Sequence, residues 1–336
     1  MKRLRHIFMA FAVMLLSSCI YEYPTYIPAG TQLKLTFRLD SAAINSYPEI
    51  SDLSSDEYDL RYVIKAYRAT NSGGFHTIPH KEFMFTKDDI TSLDSTFLVE
   101  LDEGLYKFYT IADYVPQYME GDNHFATSSF SDIHIRCDEY HGATDSKTLY
   151  TGVQEIPIEI FNGQEVSCDT ISLAPALFKY QIVATDLQKF YDKMTTRNSD
   201  TLDFVALHLE NYKVKVRYDD KEPLFTHMDL YNGGKATRGE TGLSFMTGIT
   251  KLNDNEAMLC FDHVMVGPNQ KELGIRVGIY RQDGSHVTTI PIKFPVHKGK
   301  FKCVKGDFLT YVGLENPDDG GVIINPDFSG DINVNI

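Results

Sequence analysis

The feature that most constrains this chain is an alternation of apolar and polar side chains in short runs. In LKLTFRL, Leu33, Leu35, Phe37 and Leu39 fall on one side, with Lys34, Thr36 and Arg38 on the other. A period of two describes a half-buried β-strand. RYVIKAYR (61–68) reads as a second strand. Runs at 96–101 and 105–112 flank Asp102-Glu103-Gly104, a hairpin signal. Runs at 156–161 and 170–173 close the first half, with Asn162-Gly163 as a turn. Strands are expected again at 178–184, 202–209, 212–218, 243–249 and 257–266. The clearest hairpin is 273–280 with 286–294, bracketing Gln282-Asp283-Gly284-Ser285. A strand is expected at 308–314, and the tail GGVIINPDFSGDINVNI gives a short strand, a break at Asn325-Pro326 and a last alternating run. One helix stands out. Asp186 precedes LQKFYDKM, and Leu187, Phe190, Tyr191 and Met194 share one face at helical spacing. The polar segments 41–59, 114–131 and 138–148 read as loops. Many short strands and one helix define an all-β protein. The pattern restarts at Ala174-Pro175, which predicts two β-sandwiches in tandem, 31–175 and 176–336, with the helix in the second.

The first nineteen residues are set apart from that fold. Lys2, Arg3 and Arg5 precede an apolar run over 7–16 that is too short to span a bilayer as a stable helix. Leu16-Ser17-Ser18-Cys19 follows. Residues 1–18 read as a secretory signal to be removed, and residues 19–30 as a Tyr- and Pro-bearing tether. The LSSC ending resembles the lipobox of bacterial lipoproteins, which implies cleavage before Cys19 and acylation of its thiol and new amine. Stable attachment would come from more than one acyl chain on Cys19. Charge does not supply it. The chain has 46 acidic against 32 basic residues, and the signal removes three basic residues and no acid. Such a chain does not seek nucleic acid or anionic head groups. Only Glu22 follows the cysteine closely, so an acidic surface-export run is missing.

Trp is absent, whereas Tyr (20) and Phe (21) abound. Aromatics at this density suit pleated sheets and do not suggest a Trp-based carbohydrate platform. Beyond Cys19 there are Cys137, Cys168, Cys260 and Cys303. Their spacing fits no CxxC zinc pattern, and free thiols or one or two bridges are both open.

The order of features carries a resemblance: lipobox, short Tyr/Pro tether, LKLTFRL, RYVIKAYR, LAPALFKYQIVATDLQKF at the midpoint, and GGVIINPDFSGDINVNI at the end. Together they resemble the exported Bacteroidales lipoproteins related to fimbrial anchor and accessory subunits, the FimB-type branch of the fimbrillin superfamily. The resemblance implies two transthyretin-like β-sandwich domains behind a lipidated cysteine. It implies an outer-membrane, surface-facing location and fimbrial subunits as partners, joined by β-strand donation. Strand donation supplies main-chain hydrogen bonds and alternate side-chain plugs. Ile332, Val334 and Ile336 have the alternation of such a strand. The same alternation describes the last strand of the second domain, the reading preferred here.

Catalytic signatures are missing. There is no GxSxG elbow, HExxH, P-loop or GxGxxG after a strand, so no catalytic residue and no cofactor is assigned. His134, Cys137 and His141 lie close together in HIRCDEYH, but a fourth ligand is not in sight, and they read as a polar surface loop rather than a metal site. His208 and Glu210, on one face of the expected strand, read as solvated or cross-strand paired side chains rather than an acid/base couple, and Asp318, Asp319, Asp327 and Asp331 as solubilising turn residues. Asp40-Ser41-Ala42, Asp94-Ser95-Thr96, Asp169-Thr170-Ile171 and Asp200-Thr201-Leu202 resemble acceptor triplets for O-glycosylation in exported Bacteroidales proteins. The expected function is anchoring or assembly of a fimbria. The alternative is an adhesin-like surface module whose loops 114–131 and 138–148 bind a host protein or glycan. A hydrolase is the least supported class.

Overall fold

The computed structural model describes residues 31–39, 53–90, 92–118, 121–138, 140–158, 166–197, 208–218, 223–312, 322–323 and 332–334. In chain order the first half contains β1 (Thr31–Leu39), β2 (Tyr58–Arg68), β3 (Lys81–Lys87), β4 (Ser95–Leu101) and β5 (Gly104–Pro116). Next come the short β6 (Phe125–Ala126) and β7 (Ile133–Ile135), then β8 (Leu149–Ile158) and β9 (Val166–Pro175). The second half opens with β10 (Phe178–Ala184), α1 (Leu187–Arg197), β11 (Tyr212–Tyr218), β12 (Leu224–Asp229) and β13 (Lys235–Glu240). It continues with β14 (Ser244–Gly248), β15 (Thr250–Lys251), β16 (Ala257–Val264), β17 (Glu272–Arg281) and β18 (His286–Pro295). It closes with β19 (Phe301–Gly306), β20 (Val322–Ile323) and β21 (Ile332–Val334). The protein is all-β with one α-helix among the described residues.

In the first half seven strands form one continuous ladder, β3-β2-β5-β8-β9-β1-β4. It folds over a core in which Leu33, Leu35 and Phe37 of β1 meet Tyr62 and Ile64 of β2 and Tyr106 and Phe108 of β5. The inward set on β1 is the one that alternation marks. β4 and β5 do not form the expected hairpin. β4 pairs with β1, while β5 lies between β2 and β8. Gly104, at φ 152°, turns the chain from one layer to the other. Alternation reports that a strand is half buried, not which strand lies beside it.

In the second half two five-stranded sheets, β15-β16-β10-β19-β21 and β14-β11-β17-β18-β20, enclose the largest core. The β17–β18 hairpin forms as expected, with Gly284 at φ 85° in its turn. α1 buries Leu187, Phe190 and Met194 against this core, with Tyr191 partly buried. The Asp186 carboxylate accepts hydrogen bonds from the Leu309 and Thr310 amides, at 3.1 and 2.6 Å, and so ties a distant loop to the helix start. In this half β12, β13, β15 and β19 went unread, as did β3, β6 and β7 in the first. Conversely, residues 308–312 contain no strand, and Leu209 lies in a 3-10 turn (Leu209–Asn211). The rest of the strand expected at 202–209 lies outside the described residues, His208 aside.

A fourth sheet joins the halves. Its order is β13-β12-β7-β6, so a hairpin from the first half completes a hairpin from the second. The residues read as the loops 114–131 and 138–148 are largely this junction. Phe125, Phe130, Ile133 and Ile135 are buried with Met228, Leu230, Ala236 and Met265 in a shared core. These polar-looking segments are ordered because their apolar residues, too sparse to show a period, have a partner surface in the other half.

Candidate functional site

The chemistry-bearing side chains of the chain collect at this seam. A 3-10 turn at Asp145–Lys147 carries them from the first half, with Thr144 accepting from the Ser146 amide to start it. β10 and β16 carry them from the second. Lys147, 1% exposed, donates to Asp262 Oδ1 at 2.9 Å, and its ammonium lies 3.8 Å from the centroid of the Tyr140 ring. Tyr218 donates to the other carboxylate oxygen, Tyr140 donates to the same oxygen at 2.7 Å, and Tyr180 reaches Tyr218 at 3.0 Å. The His263 amide adds a bond to Asp262 Oδ1 at 2.7 Å. Beside this group, Lys179 donates to Asp145 Oδ1 at 2.6 Å, and His263 Nε2 lies 3.2 Å from Thr148 Oγ1. His124 Nε2 lies 2.8 Å from Ser146 Oγ.

Burial sets the electrostatics. It pulls the Lys147 ammonium below its ordinary value, with Asp262 opposing. Burial, and then the Asp262 charge, pushes the hydroxyls of Tyr140, Tyr180 and Tyr218 well above the usual phenol range, so all three remain donors at neutral pH. Burial, then the charges of Lys179 and Lys147, holds His263 well below the usual imidazole value. His124 is lowered to about 4 by burial, then by Lys147 and His141. A buried carboxylate whose oxygens are all taken up by fixed donors is a structural latch. It offers no open position to a substrate.

The two histidines give the seam a pH dependence. Their folded-state values lie below the unfolded value of about 6.5, so the unfolded chain takes up protons that the folded chain refuses. Stability from this source is fully present above about pH 6.5 and is lost as pH falls below it, for His124 down to about pH 4, at about 1.4 kcal/mol per pH unit. Urea unfolding at pH 7.5, 6.5, 5.5 and 5.0 should show this decline, with a shallower slope in His124→Gln. Equal slopes in variant and parent would mean that folded His124 takes up its proton as readily as the unfolded chain does.

The other sequence-derived candidates disperse. His134, Cys137 and His141 do not converge. Cys137 is half buried at the seam, its thiol donating to the Ile135 carbonyl at 3.2 Å, and His141 faces His124 with ring centroids 6.1 Å apart. His134 instead stacks on His227 of the other half, at 4.9 Å. His208 precedes the 3-10 turn and Glu210 lies within it, 3.5 Å apart and exposed, rather than sharing a strand face. Among the described residues, Cys137 and Cys260 are free thiols. Ile332 and Val334 lie in β21, which pairs in parallel with β19 of the same chain, Ile332 opposite Val304 and Val334 opposite Gly306. Leu16, Ser17, Ser18, Cys19, Ile336, the four terminal aspartates and the triplets at 40–42 and 200–202 lie outside the described residues. Among the described residues no helix is long and apolar enough to cross a membrane. The seam itself was missed by sequence reasoning. Its one signal was the density of Asp, Lys and His in a segment that also holds Phe125, Phe130 and Ile133.

The chain belongs to the family of unknown function DUF6562, whose profile matches residues 24–336. No curated protein matches it. Among solved structures, a candidate polysaccharide-binding protein of Bacteroides thetaiotaomicron is similar at 14% identity, with 77% of this chain and 80% of that one covered and a TM-score of 0.41. The fimbrial anchor protein Mfa2 of Porphyromonas gingivalis is similar at 11% identity, with coverage of 77% and 81% and a TM-score of 0.36. A candidate cell-adhesion protein of Bacteroides eggerthii is similar at 14% identity, with coverage of 89% and 91% and a TM-score of 0.40.

Proposed function

We propose that this protein is an outer-membrane lipoprotein that anchors a fimbria, or assists its assembly, through β-strand contacts with other subunits. The observation that carries the reading is the Leu16-Ser17-Ser18-Cys19 ending of the signal, which supplies a thiol for lipid and small residues for the peptidase. Support comes from the all-β fold beginning at residue 31, twelve residues beyond Cys19, and from the buried latch, whose carboxylate oxygens are already occupied. On this reading 31–175 and 176–336 are the two domains, and the seam makes them one arm. β21 is the candidate partner strand. It contributes three residues at the edge of its sheet, a short contact that another chain's strand could extend or replace. The alternative, an adhesin-like module, would bind through what remains exposed of 114–131 and 138–148, since Phe125, Phe130 and residues 145–148 are buried.

Replacing Cys19 by alanine in the native host tests the central claim. The variant is expected to leave the membrane fraction for the soluble one and to lose incorporation of labelled palmitate, and fimbrial subunits that co-purify with the parent should leave with it. Membrane retention equal to that of the parent would overturn the lipid anchor. Lipidated protein with no co-purifying subunit would leave the anchor and remove the fimbrial role.

A further inference from the structure

The sheet that joins the halves carries a cluster that the latch does not use. His134 on β7 and His227 on β12 are directly opposed residues of an antiparallel pair. Their rings are nearly parallel, at 23°. Asp132, two residues before His134, turns its carboxylate to both. Its Oδ1 is 2.7 Å from His227 Nδ1, and its Oδ2 is 3.9 Å from His134 Nδ1. The Asp132 carbonyl also lies 3.3 Å from His134 Nδ1. One ligand atom from each of the three residues falls within 4.8 Å of the others.

We propose that Asp132, His134 and His227 form a binding site for a divalent transition metal of the zinc class, which clips the β6–β7 hairpin of the first half to β12 of the second. Two imidazole nitrogens and one carboxylate oxygen are the donor set that zinc, cobalt and nickel prefer. Metal–ligand bonds of about 2.0–2.2 Å at tetrahedral angles place the ligand atoms about 3.4 Å apart. The present separations bracket that value, so side-chain rotation alone can close the site. The histidine backbones need not move, because the β7–β12 ladder already sets them opposite each other. Ile133 and Met228, the neighbours of the two histidines along their strands, are buried beneath, which anchors both strands. The histidines are only partly buried and Asp132 is exposed, with 54% of its side chain accessible. An ion can therefore enter, and water completes the fourth position. Arg238 faces His227 across β12–β13, but its guanidinium is held by Glu240 at 2.7 Å.

The consequence is regulatory in form. Metal bound here stabilises the joined state of the two halves by linkage, rising with the logarithm of metal concentration. Cobalt(II) titration of the whole mature protein, freed of any affinity tag, is the test. The expected result is one saturating equivalent, visible d–d absorption of tetrahedral intensity, displacement by zinc, and a melting temperature raised by several degrees over the chelator-treated protein. His134→Gln and His227→Gln should each weaken binding at least tenfold, and Asp132→Asn should do so while leaving the melting temperature without metal unchanged. Absence of saturable binding would overturn the proposal. So would binding of equal strength in the His134→Gln/His227→Gln double variant, since it would place the metal on other histidines.

Discussion

Lys147→Met is expected to destabilise the protein by about 3–5 kcal/mol, the range for removing one partner of a buried ion pair. The size follows from what remains. Methionine fills the volume, but the Asp262 carboxyl is left at 0% exposure with only hydroxyl and amide donors around it. Restoring neutrality should help, so Lys147→Met/Asp262→Asn should be more stable than Lys147→Met alone. Because the pair spans residues 147 and 262, the loss should also fall on the seam. Urea unfolding of Lys147→Met, followed by separate probes in the two halves, should show transitions that no longer coincide. A loss below about 1 kcal/mol, with coincident transitions, would mean that apolar packing alone holds the halves together.

The second large effect is expected at Arg61, inside the first half. Arg61 and Asp113 are opposed on β2 and β5. The guanidinium forks onto the carboxylate at 2.9 and 2.7 Å and reaches Asp122 at 3.1 Å. Burial raises Asp113 above the usual carboxylate value even with Arg61 opposing. Arg61→Leu removes that opposition and orphans a fully buried carboxylate, again at a cost of about 3–5 kcal/mol near neutral pH. The sign of the pH effect distinguishes this from lost packing. A carboxyl raised in the folded state stabilises at low pH and loses that contribution as pH rises through its folded value. The penalty of Arg61→Leu should therefore be smaller at pH 5 than at pH 7.5. A penalty independent of pH would assign it to packing. Arg61→Lys keeps the charge but not the fork, and should fall between parent and Arg61→Leu.

Much of the fold was legible because a sheet with one face inward writes its period into the chain. The runs at 178–184 and 212–218 coincide with β10 and β11, and the helix face of Leu187, Phe190 and Met194 is the buried one. What was not legible has identifiable causes. β12 hides its period because Thr226 occupies an inward position between Leu224 and Met228, and β13 is mostly exposed. Strand partners in the first half depend on which layer the chain enters after Gly104, a choice local alternation does not encode. The seam was illegible for a different reason. Asp145 and Lys147 look like surface residues until Lys179 and Asp262, far along the chain, are placed against them. The same holds for His134, whose meaning changes from loop residue to metal-ligand candidate once His227 stands opposite.

The place of β1 has a mechanical consequence. It is the first of the described strands and the one next to the proposed tether, yet it is interior to its sheet, with seven residues registered against β4 on one side and seven against β9 on the other. A pull entering at residue 31 along the strand loads these hydrogen bonds together, in shear, rather than peeling them one by one. Resistance to force is governed by the unfolding rate under load, and shear of a doubly flanked strand is the slow geometry. A chain tethered by its N-terminal end and pulled from beyond would meet its stiffest element first.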